Sequence, residues 1–433
     1  MAMMQDYIPL LPADIVIVRR DEKYLFLNPS NPSWLVTNRN GAIALRLCDG
    51  VSTYRSIADR VSELAGRDAR SEVQGFLQEA SDLGIFETQG EPAVYNTSTL
   101  TNIHLNMTED CNLGCIYCYA TDRGVSQETL DYDDLLQIVS SAKHLSSNCT
   151  LTFTGGEPLI SNHTIPLALA AKKSGLSTYL LTNGTLIDER NADEITSAFD
   201  RVKISLDGSS AHIHESLRGE GTFEPTVNAI RLLKSRGVEL LVSMTVTGLN
   251  IQDIANMVMA YGSLLTFAPL FPLGRARCND DLSIAGDQYY AALHDIAGIN
   301  PCVDILNALS SNNQRKSFKC SMGDGSISIA ANGDVYPCHL LHYPQFNAGN
   351  LRTQSLEDIY RTSEQLNRHK VHTVENIEGC KDCGLRFICG GGCQGRHFCE
   401  TGSLDQAGPF CSYEKASIIN GLFDLYAFRS QNR

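Results

Sequence analysis

Three cysteines on one short segment constrain this chain more than any other feature. Cys111, Cys115 and Cys118 stand in the run Cys-Asn-Leu-Gly-Cys-Ile-Tyr-Cys. Three thiolates on one loop can hold three irons of a four-iron cluster, which leaves the fourth iron without a protein ligand. An iron with an open position can bind a small molecule, as a catalytic zinc site does. The alternative interpretations of this spacing are a zinc site or a trio of buried thiols.

The composition narrows the class of protein. A length of 433 residues favours two or three domains, and a hydrophobic content of 43% is enough for a sizeable core. The formal charge of −14 argues against nucleic-acid binding, which needs a concentrated basic surface. The first residues lack the pattern of a signal peptide, and no apolar stretch is long enough to span a bilayer. The 15 cysteines therefore indicate metal ligation in a reducing cytoplasm.

The pattern along the chain divides it into three predicted domains: residues 1–95, 96–300 and 301–433. In the second domain, strand and helix patterns alternate from about residue 101 to residue 269, which predicts a parallel sheet and an α/β fold. The cysteine loop follows the first strand of this region. Short strands, glycines and clustered cysteines dominate the third domain.

The cysteine spacing, with Tyr117 just before the last cysteine, resembles the radical S-adenosylmethionine (SAM) superfamily. The resemblance implies a partial (β/α)6 barrel with its chemistry at the carboxyl ends of the strands. In that family the amino and carboxylate groups of SAM chelate the open iron. One electron then cleaves the sulfonium and releases a 5′-deoxyadenosyl radical.

The same resemblance predicts further SAM contacts at the strand ends. The predicted contacts are Tyr117, Gly155, Gly156, Glu157, Asn183, Ser205, Asp207 and Arg218. Backbone groups of the Gly-Gly-Glu-Pro segment can hydrogen-bond the SAM ammonium, and a guanidinium can hold its carboxylate. Ser205 and Asp207 are two apart on one strand face, where both can bond the ribose, and Tyr117 is expected near the adenine. Turn residues or a surface arginine are the alternatives.

A second set of cysteines lies near the end of the chain. Its spacing, Cys-x12-Gly-x4-Cys and then Cys-x2-Cys-x5-Cys-x3-Cys, resembles the SPASM extension, which carries two auxiliary iron–sulfur clusters. The resemblance assigns one cluster to Cys320, Cys338 and Cys393, and the other to Cys380, Cys383, Cys389 and Cys411. Zinc ribbons are the alternative for such paired cysteines.

The first auxiliary cluster is one thiolate short in this pattern. Relatives that mature sulfatases carry an extra cysteine just before the first one, but Gln314 stands in that neighbourhood here. We therefore expect an open iron facing the barrel, or a ligand supplied by Cys302, Cys278 or a histidine. Cys399 is an odd cysteine close to Cys393 and is a spare or substitute ligand.

The N-terminal domain resembles the leader-peptide recognition elements of natural-product biosynthesis, such as the pyrroloquinoline quinone chaperone. The resemblance is diffuse and implies a small winged-helix-like unit of a hairpin, a third strand and three helices. An extended leader is expected to add as a strand, with residues 34–37 and the helix at 69–83 lining the groove. A purely structural cap is the alternative.

Together these features predict a radical SAM peptide maturase that forms a cross-link, either a thioether or a carbon–carbon bond, in a ribosomally made precursor. Oxidation and decarboxylation of the precursor are the other outcomes that this chemistry allows. The expected cofactors are SAM and three 4Fe–4S clusters. The expected partners are the precursor peptide, bound through its leader, and a flavodoxin or ferredoxin, with no nucleic acid and no membrane. The alternatives are a maturase of a folded protein, of the sulfatase or quinohemoprotein type, and a non-catalytic iron–sulfur or zinc DNA-binding regulator.

Overall fold

The computed structural model describes residues 6–87, 99–122, 128–297 and 317–431. The predicted domain boundaries near residues 95 and 300, and Cys302, lie outside these ranges. None of the described helices is long and apolar enough to cross a membrane.

A small sheet and three helices form the N-terminal part. The strands β1–β3 span Val16–Arg20, Lys23–Asn28 and Ser33–Thr37, and they pair antiparallel in the order β1-β2-β3. The helices α1–α3 span Arg39–Arg46, Tyr54–Ala65 and Arg70–Asp82. Side-chain oxygens of Asn38 and Thr53 cap α1 and α2, because each accepts a hydrogen bond from a backbone N–H in the first turn.

A parallel sheet with helices on its outer face forms the central part. Its strands β4–β9 span Asn102–Asn106, Thr150–Thr154, Ser177–Thr182, Arg201–Ser205, Glu239–Val246 and Leu265–Pro269. They are hydrogen-bonded in chain order, each parallel to the next. The helices α4–α10 span Tyr132–Leu145, Thr164–Lys173, Ala192–Ala198, Ala211–Arg218, Phe223–Ser235, Ile254–Tyr261 and Gly286–Ala297. The predicted α/β fold with six parallel strands is confirmed.

The alternation of side chains decides what each face of this sheet does. In β4, Ile103 and Leu105 are fully buried in the core beneath the helices, whereas Asn102, His104 and Asn106 point to the opposite, concave face. In β7, Val202 and Ile204 are buried while Lys203 and Ser205 share the concave face. The interior of the partial barrel is therefore polar.

The C-terminal part continues this sheet. Strands β10–β12 span Ser326–Ile329, Asp334–Tyr336 and Gly349–Asn350. β10 pairs parallel with β4, and β11 and β12 follow antiparallel, which makes one sheet of nine strands. The helices α11–α15 span Leu356–Thr362, Glu364–Val371, Arg386–Cys389, Gln394–Thr401 and Cys411–Gln431.

The N-terminal sheet is buried on both faces. Phe26 and Leu35 face α1–α3, whereas Leu25, Leu27 and Val36 face the last helix, α15. An ion pair of 2.7 Å between Arg20 and Asp424 extends the second contact. The N-terminal part is thus packed onto the C-terminal part rather than tethered to it.

This interface makes a testable contribution to stability. Phe423 is 4% exposed within it, so Phe423→Ala leaves a cavity and should lower the free energy of unfolding by about 3–5 kcal/mol. Val371→Ala is the control, because Val371 is 71% exposed and its truncation should change stability by less than about 0.5 kcal/mol. Thermal unfolding followed by circular dichroism measures both, and equal melting temperatures would contradict the packing.

Candidate functional site

The cysteine loop lies directly on the end of the second strand of the parallel sheet, β5. A Cβ atom at Gly155 would collide with the backbone of Thr108, and one at Gly156 would collide with the carbonyl oxygen of Asp110. The N–H of Gly156 donates to the Thr108 carbonyl oxygen at 2.8 Å. Glycine is therefore required here because the loop backbone occupies the space of a side chain.

Glu157 joins the second and third strand ends. Its carboxylate accepts hydrogen bonds from the hydroxyl of Thr182 at 2.7 Å and from the N–H of Asn183 at 2.8 Å. The side chain is 1% exposed, and burial raises the pKa of the carboxyl above its usual value. Both of its oxygens bond to the protein, so the structure gives Glu157 a scaffolding position.

Asn183 ties the third strand end to the cysteine loop. Its Nδ2 donates to Oδ1 of Asn112 at 2.9 Å, and Asn112 lies between Cys111 and Cys115. The Asn183 Oδ1 accepts from both the N–H and the hydroxyl of Thr185. This network fixes the loop laterally.

Arg218 and Asp207 form a buried ion pair under the cysteine loop. The Nε of Arg218 donates to Oδ2 of Asp207 at 2.6 Å, and their side chains are 9% and 0% exposed. The hydroxyl of Tyr117 donates to the same carboxylate oxygen, and its ring lies 5.5 Å from the guanidinium carbon. The Nη1 of Arg218 reaches to 4.0 Å from the Sγ of Cys115. The guanidinium therefore borders the cysteine loop directly.

The Asp207 carboxylate is fully buried, and both of its oxygens already accept hydrogen bonds from the protein. Its second oxygen, Oδ1, accepts from the N–H of Thr245 at 2.8 Å, and its carbonyl oxygen accepts from Nδ2 of Asn250 at 2.9 Å. Ser205, two residues earlier, is half-buried on the concave face and remains available to a ligand. The two residues predicted to act alike are thus placed differently.

His214 is a member of this site that sequence reasoning missed. It lies one helical turn before Arg218 on α7, is fully buried, and accepts a hydrogen bond from the N–H of Asp207 at Nδ1. Burial, followed by the charge of Arg218, lowers the pKa of His214 to about 4. A neutral imidazole therefore holds the backbone of Asp207 at neutral pH. The spacing of four residues before Arg218 was the available signal.

The surroundings of the cysteines suit thiolate ligands. Backbone N–H groups of Leu113, Leu340 and Leu385 lie 3.4–3.5 Å from the Sγ atoms of Cys111, Cys338 and Cys383. The described cysteines are free thiols. N–H donors of this kind stabilise the sulfurs of iron–sulfur clusters. The donor set and its hydrogen bonds fit such clusters.

The C-terminal cysteines fall into two groups. Burial and the charges of Cys393 and Cys320 raise the pKa of Cys338, so these three thiols are neighbours. Burial, and then Cys411 and Cys383, raise the pKa of Cys380 to about 11, and Cys389 also lies near Cys411 and Cys380. Among the described residues no three His, Cys, Asp or Glu side chains converge on a point that suits a single metal ion.

Comparisons with known proteins match two parts of the chain to family models. Residues 105–260 match the radical SAM superfamily, and residues 320–384 match SPASM, an iron–sulfur cluster-binding domain. The first range contains the cysteine loop and the Arg218–Asp207 pair, and the second contains β10–β12 and the first four SPASM cysteines.

Curated relatives and solved structures extend these matches. The AdoMet-dependent heme synthase of Oleidesulfovibrio alaskensis is 28% identical over 71% of this chain and 86% of its own length. The mycofactocin maturase MftC of Mycolicibacterium smegmatis is 25% identical over 70% of this chain and 81% of its own.

Two solved structures share the fold. The enzyme anSMEcpe with bound AdoMet has a TM-score of 0.64 at 21% identity, over 77% of this chain and 96% of its own. Streptococcus suis SuiB bound to its precursor peptide SuiA has a TM-score of 0.56 at 16% identity, over 93% of this chain and 99% of its own. The chain therefore has the radical SAM α/β fold, with a SPASM iron–sulfur domain after it.

Proposed function

We propose that this chain is a radical SAM maturase that cross-links a ribosomally made precursor peptide. The observation that carries the proposal is the buried Arg218–Asp207 pair, which brings a fixed positive charge to 4.0 Å from Cys115. Cys111, Cys115 and Cys118 would hold a four-iron cluster, which with SAM would supply a 5′-deoxyadenosyl radical for hydrogen abstraction from an unactivated carbon.

The residues of the site divide the binding of SAM between them. The Nη groups of Arg218 are placed to hold the SAM carboxylate, because its Nε is already engaged by Asp207. Asp207, Tyr117 and His214 position the guanidinium rather than touch the cofactor. Ser205 is the candidate for a ribose hydroxyl. Backbone groups of Gly155 and Gly156 stay the candidates for the SAM ammonium.

The polar interior of the barrel is the proposed place of the core peptide. The cysteine loop follows the carboxyl end of β4, and β10 runs parallel to β4 while β11 runs antiparallel. Cys320, before β10, and Cys338, after β11, therefore lie at the opposite end of the sheet from the cysteine loop. The ring of His339 lies 4.7 Å from that of His104 and 6.2 Å from that of Tyr119, which follows Cys118. A substrate in this space would lie between the radical source and an auxiliary electron acceptor.

The N-terminal part is the proposed leader-binding domain. One edge strand of its sheet, β1, is packed on the C-terminal part, where Val16 contacts Gly384 and Asp14 pairs with Arg386. β3 is the opposite edge of that sheet, with Phe76 of α3 near its end. Strand addition at β3 would supply main-chain hydrogen bonds, and Phe76 an apolar contact. The likeness to SuiB, which was solved with its precursor peptide, supports this domain assignment.

We further propose that the chain holds three 4Fe–4S clusters, takes electrons from a flavodoxin or ferredoxin, and works in the cytoplasm. The bond formed is a thioether or a carbon–carbon link.

Heme formation is the second candidate, because relatives named heme synthase are up to 28% identical to this chain. Incubation with SAM, a reductant and a porphyrin heme precursor distinguishes the two. Heme absorbance appearing in that mixture would favour this second function. A mass change in a short peptide encoded beside the gene would favour the first.

Removing the three loop cysteines tests the radical source. The Cys111, Cys115 and Cys118 to Ala triple variant should lose about four of about twelve irons and all cleavage of SAM, because three thiolates hold the first cluster. Iron analysis and chromatography of 5′-deoxyadenosine measure the two effects. Continued production of 5′-deoxyadenosine, or zinc in place of iron in the native protein, would exclude the assignment.

Removing one partner of the ion pair tests the SAM site. Arg218→Gln and Asp207→Asn should each weaken SAM binding roughly ten- to a hundredfold, since a charge-assisted contact contributes about 1.5–3 kcal/mol. Arg236→Gln is the control, because Arg236 pairs with two exposed carboxylates on the outer surface. Anaerobic equilibrium dialysis measures the affinity, with iron content checked in each variant. Unchanged affinity in both site variants would give the pair a purely structural role.

A substitution on α3 tests leader capture better than deletion of the domain, because deletion would expose Leu422 and Phe423. Phe76→Ala should weaken binding of the labelled precursor by roughly tenfold or more, since a buried aromatic contributes about 1.5–3 kcal/mol. Leu64→Ala on α2, at a position 58% exposed, is the control. Fluorescence anisotropy measures binding, and cleavage of SAM without peptide should stay unchanged. Equal affinity in Phe76→Ala and the parent protein would remove α3 from the proposed groove.

A further inference from the structure

The three cysteines assigned to the first auxiliary cluster leave one of its irons without a thiolate. Cys320 and Cys338 pack in one apolar cluster, the SPASM spacing adds Cys393, and a four-iron cluster has four irons. Of the cysteines that sequence reasoning offered, Cys302 lies outside the described residues and Cys278 is exposed. We propose that Cys399 is the fourth thiolate of this cluster, an inference that rests on the proposal that these cysteines hold iron and sulfur.

Helix α14 brings Cys399 to the loop that carries Cys338. Cys393 is the N-cap of this helix, and Gly395 and Cys399 are four residues apart, so they share one helix face. That face packs on Leu340, because the Cβ direction of Gly395 meets the Leu340 side chain at 3.0 Å. The N–H of Leu340 in turn donates to the Sγ of Cys338 at 3.5 Å. Cys399 thus lies on the face that borders the group.

The neighbours of Cys399 support the same placement. Phe398, the preceding residue, packs in one apolar cluster with Cys320 and Cys338. Cys399 itself is half-buried, unlike the exposed Cys278. The thiol is therefore close to the group and partly shielded from water.

The Cys399 sulfur can be freed by a rotation of its own side chain. The Cys399 thiol now donates to the carbonyl oxygen of Gly395 at 2.8 Å. A thiol is a weak hydrogen-bond donor. The same carbonyl oxygen also accepts the helical hydrogen bond from the backbone N–H of Cys399, so it keeps a partner if the thiol turns away. Rotation about χ1 to another staggered position would free the sulfur without breaking the helix.

The test uses a protein that keeps only the auxiliary clusters, the Cys111, Cys115 and Cys118 to Ala variant. With Cys399 intact, we expect this variant to bind about eight irons. We also expect cyanide to leave the electron paramagnetic resonance spectrum of the reduced protein unchanged, because every iron has a thiolate. Adding Cys399→Ala should remove up to about four irons, or keep them with a spectrum that cyanide now shifts. Cys278→Ala is the matched control and should behave like the background.

Four results would overturn the proposal. The first is cyanide binding by the background variant itself, and the second is an iron content and spectrum that do not change when Cys399 is replaced. The third is a change of iron content or spectrum in Cys278→Ala instead, and the fourth is loss of both clusters in Cys399→Ser. The last variant keeps the size of the side chain, and it should alter the first cluster alone. None of these measurements involves SAM or peptide, so their failure would leave the proposed function standing. A background without iron would instead contradict the proposed function itself.

Discussion

The ion pair between Arg218 and Asp207 joins three parts of the chain that are distant in sequence. Asp207 follows β7, Arg218 ends α7, and Tyr117 comes from the cysteine loop. Burying two charges costs several kcal/mol for each ion, and their attraction offsets this only when the remaining hydrogen bonds are also made. The N–H group of Thr245 and the hydroxyl of Tyr117 both donate to the Asp207 carboxylate. The position of the cysteine loop over the sheet depends on this arrangement.

The sequence predicted the parts of the site that local spacing encodes. The alternating strand and helix patterns predicted six parallel strands, because apolar residues are spaced differently along a buried strand and along an amphipathic helix. The cysteine spacing gave the loop after β4, and the second set of spacings matches a SPASM domain. These features depend on residues close together in the chain.

Contacts between distant residues could not be read in the same way. The pairing of β10 with β4 joins positions about 224 residues apart, such as Ser326 with Asn102, and no local pattern encodes it. The ribose contact at Asp207 stays a prediction, and the sequence did not show that Tyr117, Thr245 and Arg218 all donate to its carboxylate. The close approach of the loop backbone to Gly155 and Gly156 was also not predicted, and their contact with the SAM ammonium stays a prediction.

The packing of the N-terminal sheet on the last helix has a consequence for synthesis. The ribosome makes β1 first, but its partner Asp424 is 404 residues away from Arg20. At a translation rate of about 5–20 residues per second, the helix α15 that packs on the outer face of this sheet is made roughly 20–80 s after the sheet. During that interval Leu25, Leu27 and Val36 form an exposed surface that molecular chaperones recognise. The yield of folded protein should therefore depend on chaperone capacity while translation is in progress.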